Sequence, residues 1–290
     1  MKWLEITVTT APPAAEAVAD ILVESRSGGI EEMPAGPGTV RLRGYLPVGP
    51  TTAVTVDAIR ARIGALPGFG LDVGPATIET AEVDDEGWAD AWKTHFTPFA
   101  VGRRLWITPT WVRTPPPPGA VVIELDPGMA FGSGLHPSTQ LCLAVLDQRL
   151  QPGDTVVDVG AGSGILSIAA AKLGASRVLA IDADPVAVAV ARANVAHNNV
   201  AAVVEVAEGD FLSGVRGTVD VVVANLTADL HLAFLPTARP HLSPGAVLAA
   251  SGITEHRAQE VEGTARAAGL TIVETLRSGE WRCLVLAAAG

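Results

Sequence analysis

The chain has 290 residues, 48% hydrophobic and 18% charged, which excludes a disordered or fibrous protein and exceeds what one small core organises, so two domains are expected. A formal net charge of −11 argues against direct nucleic-acid binding, where lysine and arginine must neutralise phosphates, and suits a basic protein partner. No basic, apolar leader and no long uninterrupted apolar run is present, and two cysteines, Cys142 and Cys283, cannot build a disulfide framework or a cysteine metal site, so a cytoplasmic protein outside the membrane is expected.

Residues 3–9 alternate apolar and polar as a strand does, and residues 13–25 carry apolar positions at helical spacing. A short strand near Ile30 follows, then the alternating run Thr39–Leu46, a helix over Thr52–Leu66 with arginines on one side, and a strand near Leu71 to Glu79. The sum is βαββαβ, a small ferredoxin-like α+β domain assigned to residues 1–80. Residues 81–97 are acid-rich and place Trp88 and Trp92 four apart, the pattern of a short amphipathic linker helix. The second domain then spans residues 98–290, and within it Pro115–Pro118 reads as a rigid loop between two strands.

From Asp154 onward the pattern becomes strand, helix, strand, helix: Thr155–Val159, Ile165–Leu173, Arg177–Ile181 and Pro185–His197. The strands are almost wholly apolar, as in a parallel sheet covered on both faces, so a doubly wound, Rossmann-like α/β domain is expected.

The first of these strands runs into Asp158-Val159-Gly160-Ala161-Gly162-Ser163-Gly164, a turn whose glycines permit a tight bend and close approach by a ligand. A dinucleotide fingerprint would read Gly-x-Gly-x-x-Gly, and the spacing here differs. Asp158 adds negative charge where a pyrophosphate would approach, whereas a zwitterionic methionine tail and a sulfonium would be welcome. The turn is therefore expected to hold S-adenosylmethionine through Asp158, Gly160 and Gly162.

Asp182 ends the second strand and is positioned to accept the ribose hydroxyls, while Asp184 and Pro185 start the next helix. Asp210, after a third strand, either faces the adenine amino group or is a turn residue. Asn225 ends the fourth strand, Val219 to Ala224, where methyltransferases acting on amino nitrogens often carry Asn or Asp; its amide could orient a target amine, or it could cap the following helix. His136 reads as an ordinary hydrogen-bonded histidine in a turn-like, glycine-rich stretch, and no metal is expected.

Taken together, Trp88 to Trp111, Asp126 to Thr139, the glycine turn, Ala224-Asn225, Ser251-Gly252-Ile253 and Glu280-Trp281 resemble the bacterial ribosomal protein L-eleven methyltransferase family over nearly the whole chain. Ala130 to Thr139 is the most specific part. The resemblance implies that the first domain recognises ribosomal protein L-eleven, that the linker lets it swing, and that lysine side chains and the terminal amine are trimethylated. It also implies that Thr139, Gly160, Asp182 and Asn225 contact S-adenosylmethionine, with Phe131 and Gly132 lining the methyl-transfer pocket. Leu135 and Thr227 depart from the residues more usual in the family.

The reaction expected is an in-line displacement by a neutral amine, needing orientation by Asn225 and backbone carbonyls more than a dedicated base. Free lysine, with a pKa of about 10.4, is neutral in roughly one molecule in a few thousand at neutral pH, so the pocket must favour the neutral form. Competing readings are a methyltransferase acting on another protein lysine or a small amine, a cofactor-binding module without turnover, and a nicotinamide oxidoreductase.

Overall fold

The computed structural model describes residues 2–25, 28–36, 38–49, 52–69, 71–84, 97–125 and 134–288. The chain divides into two compact units, Met1–Phe96 and Thr97–Gly290.

The first unit runs β1 (Lys2–Thr10), α1 (Ala15–Glu24), β2 (Gly28–Gly36), β3 (Thr39–Pro47), α2 (Thr52–Ala65) and β4 (Thr77–Asp84). The strands lie in the order β2-β3-β1-β4 and every pairing is antiparallel. Alternation along β1 sends Ile6 and Val8 to one face, and the register sets Val8 opposite both Leu42 and Ile78. These residues pack with Val18 and Leu22 of α1 and Ile59 and Ile63 of α2. Each such side chain stabilises by about 1.5–3 kcal/mol when fully buried. This is the ferredoxin-like arrangement expected.

Two boundaries differ from the sequence reading. The last strand begins at Thr77, not near Leu71: residues 71–76 form a connection pinned to the end of β1, where Ala11 N and Thr10 Oγ1 both donate to the Val73 carbonyl at 3.1 and 3.0 Å. Leu71 and Val73 imitate strand alternation, but Gly74 and Pro75 interrupt it. The same strand continues to Asp84, so a boundary at residue 80 would cut it, and residues 81–84 are strand where a linker helix was expected. Trp88 and Trp92 lie outside the described residues.

The second unit opens with a three-stranded sheet, β5 (Phe99–Val101), β6 (Leu105–Thr108) and β7 (Val121–Glu124), in which β6 and β7 are parallel. Pro115–Pro118 lie in the exposed connection between β6 and β7, as expected. After α3 (Pro137–Arg149) come β8 (Thr155–Val159), α4 (Ile165–Lys172), β9 (Arg177–Asp182), α5 (Pro185–His197), β10 (Val204–Glu208) and β11 (Val219–Asn225). The chain continues through α6 (Ala228–Ala238), β12 (Leu242–Thr254), α7 (Glu255–Ala267), β13 (Leu270–Ser278) and β14 (Trp281–Ala288).

These last seven strands form one sheet in the order β10-β9-β8-β11-β12-β14-β13, in which β14 pairs antiparallel with both β12 and β13 and the other pairings are parallel. Each face has its own core. Val156, Val221 and Val223 pack with apolar residues of α3, α4 and α5, whereas Val157, Val159 and Val222 pack with those of α6 and α7. The doubly wound expectation is met. Strand order reverses between β8 and β11, and a crevice at the carboxyl ends of such strands is where ligands bind in open α/β sheets.

Candidate functional site

The residues singled out in the sequence converge on this switch point. β8 delivers the glycine turn, in which Gly160, Gly162 and Gly164 have φ of +72°, +55° and +81°, values an L side chain rarely adopts. A Cβ at residue 160 would also come within 2.6 Å of Leu226 Cδ2, so the leucine following Asn225 lies directly against the turn.

The hydrogen bonds of the turn define what it can hold. Gly160 N and Ala161 N both donate to the Ile181 carbonyl, at 2.9 and 3.0 Å, and Gly164 N donates to the Ala161 carbonyl at 2.8 Å. Gly162 N donates to Asp182 Oδ2 at 2.8 Å. A phosphate cradle works by aiming such N–H groups at the anion. Here four of them are engaged by the protein, and what the turn offers is acceptor oxygen, including a carboxylate. A zwitterion bearing a sulfonium and ribose hydroxyls fits that donor set better than a pyrophosphate.

Asp182 sits at the end of β9. Its second oxygen accepts from Asp184 N at 2.9 Å, and each oxygen retains a lone pair for a hydroxyl donor. Asp184 caps α5 by accepting from Val186 N at 2.8 Å, with Pro185 in the first turn, as the sequence indicated.

Asp158 corrects the charge argument made from sequence. It is fully buried beneath the turn, its Oδ2 accepting from Ser167 N at 3.1 Å and Ser167 Oγ at 2.7 Å. Burial, partly opposed by the Ser167 bonds, pushes its carboxyl up to about 7. It is therefore no fixed surface anion repelling a pyrophosphate, and discrimination against phosphate comes from the engaged amides instead. Its Oδ1 has no partner among the described residues.

Asp210 is exposed just beyond β10 in a tight turn, where its N–H donates to Ser213 Oγ at 2.9 Å and its carbonyl accepts from Ser213 N at 2.9 Å. Both bonds are made by its main chain, so the turn does not commit the carboxylate.

Asn225 ends β11, and its Nδ2 donates to Thr139 Oγ1 at 3.1 Å, across from the buried first turn of α3. That bond fixes the amide so that Oδ1 remains the acceptor. The capping alternative fails, because Thr227 occupies the N-cap of α6. Behind Asn225, the Ser251 carbonyl accepts both Leu226 N at 3.0 Å and His231 Nε2 at 2.8 Å, and Ser251 Oγ donates to the Ser138 carbonyl at 2.9 Å. Burial depresses His231 to about 4, so the ring is neutral and carries its proton on Nε2.

His136 is the N-cap of α3, its Nδ1 accepting from Ser138 N at 3.3 Å, with its ring edge-on to Trp281 at 4.5 Å between centroids. It is the ordinary hydrogen-bonded histidine expected, but at the head of a helix: α3 was missed, although His136-Pro137-Ser138-Thr139 carries a start signal with proline in the first turn. His231 was missed as well, and no local pattern marks it, while Ser251 entered only as part of the family resemblance and without a role. Phe131 and Gly132 lie outside the described residues.

Comparison with known proteins agrees with this geometry. A family model described as ribosomal protein L11 methyltransferase (PrmA) matches residues 2–289. A ribosomal protein L11 methyltransferase of Pelotomaculum thermopropionicum is 43% identical over 307 residues, covering 98% of each chain. One from Bacillus cereus is 39% identical over 310 residues, covering 98% of this chain and 99% of its own. The crystal structure of a ribosomal protein L11 methylase from Lactobacillus delbrueckii subsp. bulgaricus superposes with a TM-score of 0.64 at 33% identity, over 67% of this chain and 100% of that one. With a match over nearly its full length and a cradle suited to S-adenosylmethionine, the chain belongs to the ribosomal protein L11 methyltransferase family of S-adenosylmethionine-dependent methyltransferases.

Proposed function

We propose that this enzyme methylates lysine side chains and the terminal amine of ribosomal protein L11, using S-adenosylmethionine held by Asp158, Gly160, Gly162, Asp182 and Asp210, with Thr139 and Asn225 at the transfer end. The observation that carries this is the Asn225–Thr139 pair, joined through Leu226 to a glycine turn whose amides are already engaged. The family resemblance adds Phe131 and Gly132 to the pocket. When bound, S-adenosylmethionine supplies an electrophilic methyl group for transfer to an amine nitrogen.

The chain's own residues do the rest. Asp182 accepts the ribose hydroxyls, and Asp158 Oδ1, buried without a partner among the described residues, accepts from the methionine ammonium. Asn225 Oδ1 accepts an N–H of the incoming amine and so turns its lone pair toward the site. Enclosure lowers the amine's pKa and populates the reactive neutral form, after which fixed orientation supplies much of the acceleration. The ferredoxin-like unit is the recognition module, and the chain's net charge of −11 favours a basic protein substrate over a nucleic acid. The work is cytoplasmic on this reading; no helix among the described residues is long and apolar enough to cross a membrane.

Offering the purified enzyme labelled cofactor with isolated ribosomal protein L11 and a small primary amine in the same tube tests the substrate class. Label is expected in the protein at lysine and the terminus. Label confined to the small amine, or none in the protein, overturns the assignment.

A further inference from the structure

The glycine turn is held from two sides, and only one of them involves residues already discussed. β9 grips its near limb through Ile181 and Asp182. Its far limb meets α5, where the Cβ of Ala191 lies 3.3 Å from where a Cβ at Gly164 would stand. Asn194 near the end of α5 and Asn198 at its C-cap lie one helical turn apart, and their side-chain hydrogen bonds lead to the turn, to each other or to β7.

Asn194 Nδ2 donates to the Ser163 carbonyl at 2.8 Å. Asn198 Nδ2 donates to the Asn194 carbonyl at 2.9 Å and to the Glu124 carbonyl at 2.7 Å, while its Oδ1 accepts from Glu124 N at 3.0 Å. That double exchange makes the Asn198 side chain a one-residue strand partner for the end of β7, and Asn198 is only 5% exposed.

The peptide between Ser163 and Gly164 shows why this matters. Its N–H donates to the Ala161 carbonyl and its carbonyl accepts from Asn194, so both ends are fixed. Glycines in left-handed geometry flank Ser163 on each side, so this is the part of the turn where a peptide flip meets the least steric resistance. A flip would break both of these bonds and reshape the turn between Gly162 and Gly164.

We infer that Asn194 and Asn198 are positioning residues for the cofactor: Asn194 locks the orientation of the Ser163–Gly164 peptide, and Asn198 fixes Asn194's turn of helix to the end of β7. This rests on the proposed reading that the turn holds S-adenosylmethionine. Loss of one well-formed hydrogen bond that fixes the backbone of the turn should be felt in cofactor affinity first, since neither side chain bonds to the transfer end.

The test compares the full-length wild type with Asn194→Ala, Asn194→Asp and Asn198→Ala, measuring S-adenosylmethionine Kd by calorimetry, KM for cofactor and for protein substrate, kcat and Tm. Asn194→Asp keeps the size and removes the donor. Val261→Ala, in the buried face of α7, is the stability control. Asn194→Ala and Asn194→Asp are expected to raise cofactor Kd and KM about tenfold, or about 1.4 kcal/mol, with kcat at saturation and the protein-substrate KM within about twofold. Asn198→Ala should raise them about threefold, and Val261→Ala should lower Tm without changing either. Wild-type binding matched by both Asn194 variants, or an equal loss in Val261→Ala, overturns the inference. A wild type that binds no S-adenosylmethionine overturns the cofactor reading itself and the inference with it.

Discussion

Gly252→Ala perturbs the transfer end through backbone alone. Gly252 has φ of +85°, and a Cβ there would stand 2.3 Å from the Leu226 carbonyl oxygen and 3.0 Å from Asn225 Oδ1. An alanine carries about 1–2 kcal/mol of left-handed strain. The clash adds about 1–3 kcal/mol, because the obstructing atom is main chain and cannot rotate away. Relief requires the Asn225–Leu226 end of β11 to retreat by about 1 Å, a displacement that can cost about 100-fold in rate when it moves an orienting group. Gly245→Ala is the matched control: its φ is +83°, yet nothing lies within 4 Å of the added carbon. Denaturant unfolding should show Gly245→Ala destabilised by about 1–2 kcal/mol and Gly252→Ala by about 2–5 kcal/mol. Steady-state methyl transfer at saturating cofactor should show kcat unchanged in the first and down about 100-fold in the second. Equal kcat in the two variants would refute the claim that Gly252 sets the position of Asn225.

The remaining predictions concern single side chains. Asn225→Ala should lower kcat by about 100-fold at saturating substrates, measured by initial rates, because the oriented acceptor is gone. Asp182→Ala should raise cofactor Kd by about 10- to 100-fold in calorimetry, as charge-assisted hydrogen bonds to the ribose are lost. His231, depressed to about 4 from an ordinary 6.5, leaves the unfolded chain binding a proton that the folded chain refuses, so stability falls as pH drops from about 6.5 to about 4. His231→Gln, which can still offer an N–H to the Ser251 carbonyl, should flatten that acid limb in unfolding experiments. Asp158 has the opposite sign: raised to about 7, it favours the folded state below an ordinary carboxylate pKa, and this contribution is lost as pH rises through about 7. Asp158→Asn should therefore gain stability relative to wild type at pH 8 and weaken cofactor binding, both read in one thermal-shift series.

How much was legible in the sequence follows from where each signal resides. The parallel strands announced themselves because both of their faces are buried, giving unbroken runs such as Val221 to Ala224. Asp182 and Asn225 were legible because a strand that ends in a polar residue must present it at the sheet edge. α3 was not, since Leu141, Cys142, Leu143, Val145 and Leu146 are all buried and leave no polar stripe to betray a helical period. The direction of Asp158 was available and overlooked: Val157 and Val159 face α6 and α7, so the residue between them must face α4. The contacts of Ser251, His231, Asn194 and Asn198 join elements distant in the chain, and no local spacing encodes them.

The most direct measurement of the central claim is the intact mass of isolated ribosomal protein L11 after incubation with S-adenosylmethionine and either wild-type enzyme or Asn225→Ala, followed by peptide mapping. Wild type is expected to add methyl groups stepwise at lysines and the terminal amine, and the variant almost none over the same time. An unchanged mass with a wild type that binds the cofactor, or equal gains with both enzymes, would contradict that claim.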